Sequence, residues 1–502
     1  MGCCANLTRE TDGFHKRKIV FQNITSQIQD VDHLIVSQEN LFNEKKGSFE
    51  QNYELLNEII FTGSHSVIKK GIHKLTGSLV AVKIVKLELI EQFSETAKKN
   101  YLQGLEILKK MDHPNLIKLI DLYNNDSNLQ IVTEFYSGGE LFEILFKDKH
   151  FNEITCSKIM KQILLGLNYL HKNRIVHRGI TPENLVFEGS LDNFFIKIID
   201  FKLLTYLPEK EYLYEKVGAV FYIAPEILNE EKYDFKCDIW SCGVLLYVML
   251  CGKFPFNGKN NIEIFQNIKD GDICKDSADY KSLSNEVKDF LSKLLKVKPD
   301  DRISAEEALQ HQWLKDRNRN RMSITKIINF AAIENLKQFK IFYKLQKMIW
   351  IYLINYFLRP EEKDELSQFF HELDKEGKGF LNKEDLINLL KRVKTNDYEK
   401  EAEKIIRSFG NPPTEEKISF SEFLMASLDK KTFLNEDRVH LAFFSLDKLN
   451  KGKITIDELK NEFGGERIID NVWRELLLEV TSKPEQDFLT FEDFKTIIFK
   501  SK

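Results

Sequence analysis

The sequence predicts an α+β chain, with a small strand-rich region early and helices dominating the remainder. Three observations carry this. Alternating and β-branched residues in Leu55–Lys69 and Ser78–Val85 read as strands of a small sheet. Leu336, Phe339, Phe342, Tyr343, Leu345, Met348 and Ile349 recur at roughly helical spacing, as an amphipathic helix requires. At 502 residues the chain exceeds one ordinary core and predicts three or so domains.

Composition narrows the function classes. Net charge is −4 with both signs abundant, so nothing global points to nucleic acid. The seven cysteines show neither metal-ligand spacing nor a disulfide framework, which predicts a reducing, cytoplasmic setting. No signal peptide is visible. The most apolar run, Met348 to Leu358, is about half the ~20 residues a membrane helix needs and reads as a buried or docking helix.

Residues 1–52 form a lead-in with no sustained period from Thr8 to Gly47. It opens Met1-Gly2-Cys3-Cys4-Ala5-Asn6, the start of a myristoylation signal with Asn6 in place of the preferred Ser or Thr. Gly2 and Cys3 are the candidate lipid sites, since stable anchoring takes two signals. Acylation there would hold the chain at a membrane surface.

From Tyr53 short motifs come in a fixed order. The first are Phe61-Thr62-Gly63-Ser64-His65-Ser66-Val67-Ile68, Val80-Ala81-Val82-Lys83 and Gly104-Leu105-Glu106-Ile107-Leu108. Next stand Ile131-Val132-Thr133-Glu134-Phe135-Tyr136, Gly138-Gly139-Glu140-Leu141-Phe142 and Val176-His177-Arg178-Gly179-Ile180-Thr181-Pro182-Glu183-Asn184-Leu185. Asp200-Phe201-Lys202, Val217-Gly218-Ala219, Ala224-Pro225-Glu226, Asp238-Ile239-Trp240, Arg302 and His311-Gln312-Trp313 complete the series. In this order they resemble eukaryotic protein kinases, and residues 53–314 are identified as a two-lobed kinase-like domain.

The resemblance implies a nucleotide site. Gly63 survives from the glycine-rich turn, and Ala81 and Lys83 come from the strand that supplies the phosphate-binding lysine. Glu134 and Tyr136 lie in the hinge after the gatekeeper Thr133, Glu140 stands at the ribose position, and Leu185 lies under adenine. Asn184 and Asp200 are the implied magnesium ligands.

The same resemblance exposes losses. Gly179 stands where the family has its catalytic Asp, the group that accepts the proton of the attacking hydroxyl. Glycine can do neither that nor orient a nucleophile, and a positioned base is typically worth ~10²–10⁴-fold in rate. Thr181 replaces a Lys, and Ala219 replaces the Thr that would bond to both. Gly104 replaces the Glu that pairs with Lys83. Glu106, two residues on, lies roughly 200° round a helix and cannot substitute. Lys202 replaces the glycine of Asp-Phe-Gly, while Glu226 and Arg302 keep the large-lobe ion pair.

Residues 315–358 form a basic, then amphipathic junction, and 359–428 and 429–502 read as two lobes of helix–loop–helix units. An EF-hand loop needs oxygen ligands at positions 1, 3, 5, 9 and 12 and a glycine at 6. Loop one, Asp374 to Asp385, keeps Asp374, Glu376 and Gly379 but has Lys378 at position 5. Loop three, Asp447 to Glu458, keeps both ends and Gly452 but has Leu449 and Lys451. Loops two and four carry Pro412-Pro413 and Pro484 and lack the turn glycine. Past residue 50 the chain resembles calcium-dependent protein kinases: kinase domain, autoinhibitory-type junction, calmodulin-like domain. Asp374, Glu376, Asp385, Asp447 and Glu458 are vestigial calcium ligands, with Lys378 and Lys451 expected to place a cation inside their loops.

The expectation is a pseudokinase: a nucleotide-binding-capable scaffold or allosteric regulator with degenerate EF-hands. Its cofactors are ATP with magnesium, and weak or no calcium. Its partners are an unidentified protein and, within the chain, its junction helix against the EF-like domain. The alternative is an active or residual Ser/Thr kinase regulated by calcium; a residual calcium sensor without kinase chemistry is the third reading.

Overall fold

The computed structural model describes residue 45 and residues 47–500, apart from 64–65, 89–94, 126, 149, 191–192, 317–324, 410–416, 464–467, 469 and 484–485. Gly2, Cys3, Pro412, Pro413 and Pro484 lie outside the described residues.

The strands predicted early form a five-stranded antiparallel sheet. It contains β1 (Tyr53–Thr62), β2 (Ser66–His73) and β3 (Leu79–Lys86), then, after helix α1 (Glu95–Lys110), β4 (Leu119–Asn124) and β5 (Asn128–Glu134). The order is β1-β2-β3-β5-β4. Strand side chains alternate faces. Val80 and Val82 accordingly enter a core with Phe49, Tyr53, Tyr123 and Val132, which leaves Ala81 and Lys83 on the other face.

Below the sheet lie α2 (Leu141–Asp148), α3 (Glu153–Lys172), the hairpin β6 (Leu185–Ser190) with β7 (Asn193–Ile198), and α4 (Lys236–Cys251). Asn152 caps α3 by accepting from the Thr155 N–H. Helix α4 is buried all round, as its nearly unbroken apolar sequence requires, and stops at Gly252 with φ +64°. Arg302 and Glu226 form a bidentate pair at 2.8 and 3.0 Å inside this lobe.

The junction departs from the expected single amphipathic segment. It forms α5 (Thr325–Gln338) and α6 (Lys344–Phe357), separated by non-helical residues 339–343. The Phe342 N–H is taken by the Gln346 side chain at 2.8 Å and the Ile341 N–H by the Ser408 carbonyl at 2.8 Å. These bonds replace helix continuation where Phe339 and Ile341 enter the core from non-helical backbone.

The helix–loop–helix units come in two pairs. The first contains α7 (Pro360–Leu373), β8 (Phe380–Asn382), α8 (Lys383–Arg392), α9 (Tyr398–Arg407), β9 (Lys417–Ser419) and α10 (Phe420–Ser427). The second contains α11 (Glu436–Leu446), β10 (Lys453–Thr455), α12 (Ile456–Glu462), α13 (Asp470–Thr481), β11 (Phe488–Thr490) and α14 (Phe491–Phe499). Antiparallel pairs β8–β9 and β10–β11 join the loops. Leu345, Met348, Ile349, Trp350 and Leu353 of α6 belong to one core shared with both lobes.

The first lobe docks on the kinase-like domain, and the junction and the lead-in residue Lys45 tie that domain to the second lobe. In loop one, Asn168 of α3 donates to the Gly377 carbonyl at 3.5 Å and to the Glu376 carbonyl. A Cβ on Gly379, where φ is +79°, would lie 2.3 Å from the Tyr169 ring, so only glycine lets this loop approach α3. Ser421 at the start of α10 binds Asp112 through its N–H (3.0 Å) and hydroxyl (2.8 Å). Farther up, buried Asp121 of β4 accepts from Tyr53 (2.5 Å) and Tyr356 of α6 (2.7 Å). Lys45 lies 3.5 Å from Asp121 and also binds Glu462 in the second lobe.

Candidate nucleotide and catalytic site

The catalytic-type loop is held firmly. Buried Asp238 of α4 accepts from the N–H groups of His177 (2.9 Å) and Arg178 (2.7 Å) and is 2.9 Å from His171 Nε2. Burial pushes the Asp238 carboxyl up, but His171 and His177 outweigh it and hold it below the usual range. Arg178, at φ +63°, donates to Glu215 (2.7 Å) and the Leu203 carbonyl (2.8 Å), tying the loop to the segment before Ala224-Pro225-Glu226. Sequence reasoning misses Glu215; its one signal is an acidic residue in the stretch between Asp200 and Pro225.

Inside this intact frame the three altered positions meet. Gly179, Thr181 and Ala219 line one recess with Arg178, Tyr222 and Ser241. A Cβ on Gly179 would find nothing nearer than 3.5 Å, so the position has room for a side chain that the sequence does not supply.

Helix α1 corrects the reading of Gly104 as a mere loss. A Cβ there would stand 2.3 Å from the Phe201 carbonyl oxygen. Glycine lets α1 pack directly on the Asp-Phe-Lys backbone, where no residue with a side chain fits. Glu106 pairs instead with Lys109 at 2.6 Å. Lys83 has its ammonium over the Phe201 ring (4.6 Å) and 3.9 Å from Asp200 Oδ1. Burial lowers the Lys83 pKa, with Asp200 opposing.

The register of β3 sets Ala81 opposite Thr133, whose hydroxyl lies 3.4 Å from the Ala81 carbonyl. Gly63 sits at the β1–β2 turn, its N–H bonded to the Ser66 carbonyl, and Leu185 is fully buried. Glu140 bridges to Val186. Burial and then Glu143 and Glu183 raise the Glu140 pKa. The Glu134 and Tyr136 side chains are engaged elsewhere. Glu134 pairs with Lys363 of α7, and Tyr136 donates to Glu134 with Lys197 over its ring. Their hinge role for a ligand is thereby left to the backbone. No sequence signal points to Lys363, because only tertiary packing brings α7 to the hinge.

The magnesium-type residues are mixed. Asn184 donates to the Gly179 carbonyl (2.8 Å), which keeps its oxygen available. Asp200 Oδ2 is 3.2 Å from Lys202 Nζ, and Oδ1 accepts the Lys202 N–H at 3.2 Å. Burial raises the Asp200 pKa, but Lys83 and Lys202 outweigh it and leave it lowered.

A lysine of the chain fills the cation's place in loop one among the described residues. In loop one, Asp374 accepts the N–H groups of Lys378 (2.9 Å) and Gly379 (2.7 Å). Lys378 Nζ sits 2.8 Å from Asp385 and 3.5 Å from Glu376. Burial alone would lower the Lys378 pKa; Asp385, Glu376 and Asp374 raise it instead. Lys451 does not repeat this arrangement: it is exposed and has no ion pair among the described residues. Its loop is closed by Glu458, which accepts the Leu449 N–H (3.1 Å) and the Thr455 N–H (2.8 Å), while Asp447 takes the N–H groups of Lys451 and Gly452. At the matching position of the second loop, Glu422 pairs with Lys347 of α6 at 2.5 Å. In the fourth, Asp493 accepts from Gln486 at 2.8 Å. A hard cation needs six to eight oxygens. In the described residues these carboxylates face ammonium, amide or peptide donors, and Lys378 holds the place of an oxygen ligand in loop one.

The chain is similar in sequence to known proteins over most of its length. A family model for the protein kinase domain matches residues 55–314. Calcium-dependent protein kinase 4 of Plasmodium falciparum is 34% identical over 485 residues, covering 92% of this chain and 91% of that protein. Calcium-dependent protein kinase 5 of the same organism is 36% identical over 410 residues, 81% of this chain and 70% of that protein. Calcium-dependent protein kinase 3 of Plasmodium yoelii yoelii is 34% identical over 423 residues, with 82% and 75% covered.

Proposed function

Because the chain belongs to the calcium-dependent protein kinase family, we propose that it is a member without phosphoryl transfer, working as a nucleotide-binding-capable scaffold. One observation carries this reading. Gly179, Thr181 and Ala219 empty a single recess while Asp238, Arg178 and the Glu226–Arg302 pair keep its frame. General-base and hydroxyl-orienting groups are gone together, and the binding architecture is retained.

The decisive assay is phosphate transfer from ATP to a generic Ser/Thr substrate. The expected turnover is at least ~10²-fold below the family's usual range, the worth of the base alone. Turnover near ~10 s⁻¹, within the ordinary kinase range, would establish the rival reading of an active kinase. That rival draws its support from the Arg178–Glu215 pair, which orders the segment an active enzyme needs.

In this reading the EF-like domain holds one arrangement at all calcium levels, since a ligand that binds two states equally shifts nothing. Lys378 and Lys347 act as tethered cations and support that constancy. Hydrogen exchange across residues 330–358 should be the same in calcium and in chelator; large differences would revive a sensor. Acylation at Gly2 and Cys3 would place this scaffold at a membrane face, and a myristate analogue that fails to label the expressed chain would remove that element.

A further inference from the structure

The residue after Asp-Phe brings a charge to the phosphate site that a glycine there would not. Lys202 Nζ lies 3.2 Å from Asp200 Oδ2, while its own N–H takes Oδ1 at 3.2 Å and Lys83 stands 3.9 Å from the same oxygen. Both oxygens of the magnesium-type carboxylate are thus faced by cationic or N–H donors. Magnesium demands short, near-octahedral oxygen contacts. An ion bound to Oδ2 would share it with the ammonium and be repelled by it.

Charge counting points the same way. With glycine at 202, Lys83 and Asp200 cancel, and a triphosphate needs a divalent metal to offset its charge. With Lys202 the three side chains sum to one positive charge before any metal arrives. Lysine suits this role as a compact cation on a flexible stem, more than half exposed, able to turn from Asp200 to a phosphate oxygen.

We propose that Lys202 is the resident cation of this site, so that the chain takes a nucleoside triphosphate without a divalent metal. This rests on the nucleotide-binding reading above and specifies how that binding works.

The test is titration of the full chain with a fluorescent N-methylanthraniloyl ATP, in EDTA and in magnesium, beside Lys202→Gly and Lys202→Gln. The wild-type dissociation constants should agree within about threefold between the two buffers. In EDTA both variants should bind about 10-fold more weakly, the scale of one charge-assisted hydrogen bond. Magnesium should restore Lys202→Gly. Wild-type binding that magnesium strengthens 10-fold or more, or variants that equal wild type in EDTA, would overturn the proposal and leave nucleotide binding standing. Absence of binding in both buffers would overturn the proposal and the nucleotide-binding reading together.

Discussion

Gly104 offers a prediction in which two effects of opposite sign compete. Replacing a mid-helix glycine with alanine ordinarily stabilises by ~1 kcal/mol. Here the new Cβ would stand 2.3 Å from the Phe201 carbonyl oxygen, a backbone atom that cannot swing aside. Helix α1 would have to withdraw by roughly 1 Å, and overpacking of that kind costs ~1–3 kcal/mol. With the contact this short the upper part of that range applies, so Gly104→Ala should destabilise by a net ~1–2 kcal/mol. For a domain of this size each kcal/mol moves the melting midpoint by roughly 2–4 °C. Thermal unfolding followed by tryptophan fluorescence reads it, with Gly179→Ala as the control. The control has no contact under 3.5 Å and should stay within ~0.5 kcal/mol of wild type. A Gly104→Ala midpoint above wild type would show that α1 does not press on Asp-Phe-Lys and would refute the reasoning.

Other predictions address catalysis, calcium and docking. Gly179→Asp brings a Cβ that meets no atom nearer than 3.5 Å, yet it should leave transfer well below family rates, because Gly104, Lys202 and Ala219 remain and such groups act as a unit; radiolabelled ATP assays on wild type and variant check it. Lys378→Asn removes the tethered cation of loop one and supplies an oxygen at its position 5, so calcium-dependent terbium displacement should appear in the variant and be missing in wild type. Lys347→Met should cost ~3–5 kcal/mol of stability in chemical denaturation, since it takes the Lys347 ammonium away from the buried Glu422 carboxylate. The hinge pair gives a pH window. Burial raises the Glu134 pKa, but Lys363, Lys197 and Lys118 outweigh it and bring it from 4.5 to about 2. A lowered carboxyl stabilises fully above its unfolded value and loses that contribution as pH falls from about 4.5 towards 2. Lys363→Met should narrow that window and shift acid-induced release of the EF-like domain, monitored by limited proteolysis, to higher pH.

The sequence alone carried the identity of parts. Ordered motifs with their own chemistry located the kinase-like domain, and the missing Asp at Gly179 needed no coordinates, because a side chain that is absent from the sequence is absent from every structure. Lys378 was likewise legible as a cation standing at a ligand position of loop one. Lys451 occupies the equivalent position in its loop but is exposed, and there the longer Glu458 reaches across to the Leu449 N–H, a contact Asp385 does not make among the described residues. The amphipathic period of the junction was real, yet its single helix was not. Gln346 and Ser408 offered the backbone other partners, and those lie across a turn and across the fold. Only the tertiary structure decided the contacts between distant segments: Lys363 on Glu134, Asn168 on loop one, and Lys347 on Glu422. The meaning of Gly104 belongs with them. Periodicity says which face of a helix is buried, but the distance to a carbonyl on another segment depends on how whole elements settle against one another.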